Sequence, residues 1–411
     1  MTPSRADRKN PRGWLLPAGF FCAALLARAA YAVAAPRALE ADAVYYYETA
    51  RNLALGVGYV LPDGRLLGSV PPVFPYFLAG VFKIFGAAPA SAVAAQVLVG
   101  AATAVVVYFT ARVYFDGRVA AWAAALFAVY PFYIWASSVV LTEALTTLLL
   151  AASLWVYYYA ARGSALAGAG AGLLLAATAL CRSSFLAVGV PLVVALAFFR
   201  AGGWRTRLRV VAAAAVAFAA LTGMWAYRNY RLLGVPTPAT LNGARIFYEG
   251  NFRAGEGAHP SSVELMRSPE FEREARVYLG TPCADVAYER FFRARAGELW
   301  RREAGAILTS LPGKFVRLCR PAPDLRLPAR LPLTAAAGAL LVFAWVGILR
   351  YRRPAGRAFV LLAPVLITLV THAVLKPLFR FRLPVDFILI IFAAAFASFC
   401  WEQIRGDRRR R

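Results

Sequence analysis

The stretch PPVFPYFLAGVFKIFG, residues 71–86, decides how the whole chain is threaded. It is apolar, yet it opens on two prolines and carries Lys83, and its run 72–86 falls short of the ~20 residues a helix needs to cross a bilayer. Around it lie ten apolar runs of spanning length, near 14–35, 89–111, 118–136, 138–160, 164–181, 184–200, 208–227, 332–349, 358–376 and 383–401. If 72–86 does not cross and the N-terminal tail is inside, the inner segments collect 20 basic residues, from Arg5, Arg8, Lys9 and Arg12 to the terminal RGDRRRR. If it crosses as an eleventh span, 16 of those 20 move outside, against the positive-inside bias. The charge distribution therefore predicts ten spans, two cytoplasmic termini and a short helix lying on the outer surface.

Composition agrees with a polytopic all-α membrane protein: 411 residues, 60% hydrophobic and only 16% charged. The net charge of +25 sits between apolar spans rather than on a folded surface, which excludes a nucleic-acid partner and leaves the lipid bilayer. The first run, Trp14 to Ala35, ends in AYAVAAP as a signal peptide would, but its length favours an anchor. Cys22, Cys181, Cys283, Cys319 and Cys400 form no CxxC; Cys283 and Cys319 share one extracytoplasmic segment and could pair there. Three regions follow: an N-terminal membrane module, 1–227, with the loop 36–88; a folded loop or small domain, 228–331, with 17 basic and 11 acidic side chains; and a C-terminal membrane module, 332–411.

Ionisable groups at span ends are costly and mark candidate sites. In the ten-span topology they gather at the outer ends: Asp42, Glu48, Glu143, Arg182, Arg228, Asn229, His372, Lys376, Arg380, Arg382 and Asp386. Such a layer suits a substrate with an apolar tail in lipid and a phosphate at the interface, although each arginine alone could snorkel to headgroups. In DAVYYYETARNLALGVGYV, residues 42–60, helical spacing puts Asp42 on one face with Tyr45 and Tyr46, lets Glu48 meet Arg51 or Asn52, and ends the helix at GVG. Asp42 then reads either as a general base for an acceptor hydroxyl or amine, or as a helix N-cap.

These pieces, with YPFYIWASSVVLTEAL around Glu143, LCRSSFL around Arg182, WAYRNYRLLGVPTPATLNG around Arg228 and Asn229, and FRFRLPVDFILIIFAA near the end, resemble the GT-C fold glycosyltransferases of the family 39 type. That group includes protein O-mannosyltransferases and the aminoarabinose transferase of lipid A. The resemblance implies sugar transfer from a polyprenyl-phosphate donor to a lipid, glycan or protein acceptor at the outer face. It makes Asp42 the catalytic base and Glu143 a second acid that orients the acceptor or a metal. It assigns Arg182, Arg228, Arg380 and Arg382 to the carrier phosphate, with Tyr45, Tyr46, Asn229 and His372 in substrate binding. Two departures stand out: GSV precedes Pro71 where members hold acidic or lysine side chains, and Asp42 is followed by Ala43 rather than a second acid. With only His259 and His372 in the chain, a divalent metal is unsupported.

The competing readings are a transporter or flippase of lipid-linked saccharides and a non-catalytic membrane scaffold. A transporter would place polar residues near mid-bilayer, where only Arg28 lies. Within 228–331, residues 281–315 predict an amphipathic helix with Val286, Phe291 or Phe292, Leu299 and Ile307 on its apolar side, packed on the membrane surface or the spans.

Overall fold

The computed structural model describes residues 14–408 apart from 62–63, 200–201, 239, 253–261, 270, 274–283, 321–329 and 352–354. The basic N-terminal tail, His259 and Cys283, with its predicted pairing to Cys319, lie outside the described residues. Among those described, the chain is an all-helical polytopic membrane bundle without strands. The apolar runs become α1 (Leu15–Ala34), α4 (Pro89–Tyr114), α5 (Gly117–Val129) with α6 (Pro131–Ala136), α7 (Glu143–Ala160), α8 (Ala165–Cys181), α9 (Leu186–Ala195) and α10 (Trp204–Leu233). After the intervening α11 (Gly243–Asn251), α12 (Ser262–Met266) and α13 (Ala284–Cys319) come α14 (Arg330–Tyr351), α15 (Ala355–Val374) and α16 (Leu383–Arg408). Spans meet backbone to backbone at small residues. A Cβ on Gly172 of α8 would lie 2.1 Å from the Ala214 carbonyl oxygen of α10, and one on Gly347 of α14 equally close to that of Phe392 in α16.

The run 118–136 does not remain one helix. Pro131 has no N–H to give, and Tyr130 before it is extended (ψ 118°), so the ladder breaks between α5 and α6. Arg28, wholly buried on α1, takes the carbonyls freed there: its Nη1 donates to Ala128 (2.9 Å) and to Ala24 in its own helix (3.2 Å), its Nη2 to Phe127 (3.3 Å). The one deep charge thus caps a broken span instead of lining a path. Arg28→Leu should lower the thermal midpoint in detergent by an amount equivalent to about 2–4 kcal/mol, because it strands buried carbonyls; an unchanged midpoint would mean they have other partners.

The short run 72–86 forms α3 (Val73–Phe85), 13 residues long, which packs on α2 (Asp42–Ala54). Tyr46 meets Phe74 and Tyr47 meets Phe82 edge to face, each at 5.2 Å. Together the two helices rest on Val140, Leu141, Leu145 and Cys181 at one end of the bundle. The function of α3 is therefore to seat α2. At the other end of α2, Gly56 adopts φ +78°, which ends the helix at GVG.

Helices α11 and α13 hold a small core of their own. Val286, Phe291, Phe292, Leu299 and Ile307 are all buried as the periodicity requires, but the last four pack with Tyr248, Leu265 and Phe271 rather than on lipid. This unit holds segments both before and after it in the chain. Asp285 Oδ2 accepts from the N–H of Gly68 (2.7 Å) and Ser69 (2.8 Å), just before the proline pair. Asn251 Nδ2 donates to the Val374 carbonyl (2.9 Å), and Lys376 Nζ reaches Glu249 (2.8 Å). Asp285→Ala should speed amide hydrogen exchange across 66–70 by roughly tenfold or more, since two charge-assisted bonds are lost; unchanged exchange would show that the segment is held without it.

Candidate active site

Asp42 is the first residue of α2, and Ala41, not Asp42, occupies the cap position, with no side-chain cap bond. The capping reading therefore falls. Ala41 is the one non-glycine with positive φ among the described residues (φ 48°, ψ −121°), a strained turn that aims the next side chain. The Asp42 carboxylate is half-exposed, and its Oδ2 accepts from Arg380 Nη2 at 2.6 Å. Arg380 lies in the 3₁₀ turn Phe379–Phe381 between α15 and α16, so residues 338 apart in sequence meet.

A second carboxylate stands beside this pair. Glu143 opens α7, is 2% exposed, and accepts from Arg182 Nη1 at 3.1 Å; Thr142 Oγ1 also meets that nitrogen (3.2 Å). The other oxygen of Glu143, Oε2, is buried without a hydrogen-bond partner. Tyr46 lies within electrostatic reach of Asp42, Arg182 and Glu143, and burial, reinforced by Asp42, pushes its phenol well above the ordinary range. Burial works to lower the Arg380 guanidinium, but the carboxylates of Glu143 and Asp42 outweigh it and hold it above its ordinary value. Both groups keep their protons, Tyr46 as a neutral donor and Arg380 as a fixed cation.

The cluster closes around Phe381. The Arg182 guanidinium carbon is 4.7 Å from its ring centroid, that of Arg380 5.3 Å, and the His372 imidazole 4.7 Å. His372 is 4% exposed, and neither of its ring nitrogens has a partner. Beside Asp42 and Arg380 opens a cavity of about 470 Å³, within the size range of small-ligand sites. Its walls include Arg37, Glu40, Trp135 and Ser138, with Leu39 and Val93 on the apolar side.

The remaining candidates sit differently. Tyr45 is 50% exposed. Arg228 Nη1 donates to the Leu67 carbonyl (2.8 Å) and to Asn229 Oδ1 (3.0 Å), with its guanidinium over Tyr59 and Trp225. Asn229, fully buried, donates to the Thr237 carbonyl (2.8 Å). These two brace the loop before α3. Arg382 is 2% exposed; Nε pairs with Asp386 (2.8 Å) and Nη1 donates to the Leu318 carbonyl (2.6 Å). Of the four arginines expected at a phosphate, Arg182 and Arg380 meet at Phe381 and each pairs with a carboxylate, whereas Arg228 and Arg382 each hold backbone carbonyls. Asp42 and Glu143 each accept from a guanidinium, and no group of three His, Cys, Asp or Glu gathers among the described residues.

Residues 69–227 match the family described as dolichyl-phosphate-mannose-protein mannosyltransferase. Among solved structures, the archaeal oligosaccharyltransferase AglB from Archaeoglobus fulgidus, in complex with an inhibitory peptide and a dolichol-phosphate, aligns with a TM-score of 0.60 at 16% identity. The alignment covers 97% of this chain and 52% of that one. The fold is GT-C. The apo oligosaccharyltransferase of the same organism aligns at 0.58, again at 16% identity, over 96% of this chain and 51% of its own. The chain thus spans about half the length of these GT-C structures. ArnT from Cupriavidus metallidurans bound to undecaprenyl phosphate gives a TM-score of 0.41 at 15% identity, over 94% and 78% of the two chains. A comparison with curated protein sequences finds no match. The matched family region contains Glu143 and Arg182 but stops short of Asp42 on one side and Arg380 on the other.

Sequence reasoning missed Phe381, Thr142, Asp285 and the cavity walls Trp135 and Ser138. One signal was legible: in FRFR, each arginine is followed or preceded by a ring, and the structure stacks Arg380 on Phe381 and Arg382 on Phe379 (5.1 Å).

Proposed function

We propose that the chain is an inner-membrane glycosyltransferase that moves a sugar from a polyprenyl-phosphate donor to a lipid, glycan or protein acceptor on the extracytoplasmic side, with inversion. The observation that carries this reading is the Asp42–Arg380 pair at the mouth of the cavity, backed by Arg182. A half-exposed carboxylate beside two guanidiniums supplies what displacement at a phosphorylated anomeric carbon needs.

In the proposed step Asp42 takes the proton of the acceptor hydroxyl or amine as its oxygen or nitrogen bonds to the anomeric carbon. The bond from that carbon to the phosphate oxygen breaks, and the electron pair leaves with polyprenyl phosphate. Its charge rises from one negative to two, and Arg182 and Arg380 stabilise the increment. Phosphate is a good leaving group, so a single base plus fixed positive charge suffices, and Glu143 acts as a second acid that fixes Arg182 in place.

The test is transfer itself. Membranes bearing the protein, supplied with labelled polyprenyl-phosphate sugars, should pass label to an acceptor and release polyprenyl phosphate in equal amount. Movement of intact labelled donor across the membrane without bond cleavage would identify a transporter instead.

A further inference from the structure

Two guanidiniums repel when no anion lies between them, yet Arg182 and Arg380 are held about one aromatic ring. Each also has a carboxylate partner, Glu143 for Arg182 and Asp42 for Arg380. What differs is accessibility: the Glu143 side chain is 3% exposed and locked, whereas Asp42 is 50% exposed and lies at the cavity wall. The Phe381 ring lies against both cations, each within the ~6 Å over which such contacts act. The buried imidazole of His372, neither nitrogen of which has a hydrogen-bond partner, lies tilted against the same ring.

Resting on the glycosyltransferase reading, we propose that Phe381 is the positioning residue of the phosphate site: its ring holds the Arg182 and Arg380 guanidiniums converged, so that one phosphate group can take Arg380 from Asp42. Before the phosphate arrives, Arg380 is shared between Asp42 and the ring, and Asp42 Oδ2 is occupied by that guanidinium. An arriving phosphate competes for Arg380 because its oxygens can accept from Arg182 as well, whereas Asp42 bonds Arg380 alone. Asp42 is then released to take a proton. The ring sets both where the phosphate binds and the order of events, carrier first and acceptor proton second.

The experiment uses the full chain in nanodiscs and undecaprenyl phosphate as the probe, with binding read by native mass spectrometry. Phe381 is replaced by phenylalanines carrying one, two and three ring fluorines, which empty the ring face of negative potential while nearly keeping its shape. Phe381→Trp and Phe381→Leu complete the series. The expected result is a stepwise fall in affinity along the fluorine series, reaching roughly tenfold, with Phe381→Trp retained and Phe381→Leu weakened as much as the trifluoro ring. The melting temperature should stay flat along the fluorine series. Equal affinity across that series, with wild type binding normally, overturns the positioning role of Phe381 and leaves the transferase reading standing. Failure of the wild type itself to bind undecaprenyl phosphate overturns both. Should Phe381→Leu not accumulate, the fluorine series alone decides, because its members differ in ring charge rather than in packing.

Discussion

Asp42→Asn is expected to lower the turnover of sugar transfer by roughly 10²- to 10⁴-fold while leaving the protein's yield and melting temperature unchanged. The carboxylate is half-exposed, caps no helix and packs in no core, so its removal costs little structurally. The amide keeps the size of the side chain but neither accepts a proton nor holds Arg380 as an ion pair. With that competitor gone, the KM for the donor should stay level or fall even as kcat collapses, a split that general damage to the site would not give. Glu48→Gln, on the same helix and paired with Arg51 on its surface at 3.5 Å, should leave both constants within about twofold. A fully active Asp42→Asn protein would remove Asp42 from the chemistry.

Breaking the Arg382–Asp386 pair is expected to have the largest effect on stability. Both side chains are 2% exposed, and Arg382 additionally holds the Leu318 and Arg320 carbonyls where α13 ends. Arg382→Ala or Asp386→Ala leaves one buried charge unpaired and should cost about 3–5 kcal/mol, seen as poor accumulation or a large fall in thermal midpoint. The double variant Arg382→Met with Asp386→Leu should recover much of that loss, because it removes both charges and refills the space. Whatever single-variant protein survives should bind undecaprenyl phosphate like wild type. A selective loss of that binding at normal stability would return Arg382 to the phosphate.

The membrane architecture was legible because crossing lipid demands long apolar runs, and basic residues sort by side; the brevity of 72–86 then set α3 apart. The break at Pro131 was written in the sequence too, but its remedy was not. Nothing local says that Arg28, a hundred residues from Ala128, will supply the missing donors. The same holds for the site. Asp42, Glu143 and Arg182 announce themselves as charges at span ends, whereas the meeting of Arg182 and Arg380 at one ring, apart from Arg228 and Arg382, depends on which carbonyls and carboxylates each guanidinium meets after packing. Phe381 stayed hidden because an aromatic beside a span is ordinary, and only its two cationic neighbours make it otherwise.

The pairing of Asp42 with Arg380 also bears on how the protein is made. During synthesis at ~5–20 residues per second, the 338 residues that separate them take roughly 20 to 70 s to emerge. Throughout that interval the first loop is already in place, with its carboxylate, but the arginine that completes the site has not been translated. A chain stalled or truncated before residue 380 carries Asp42 without its guanidinium partner. Asp42 therefore has no Arg380 partner until nearly the whole chain has been made.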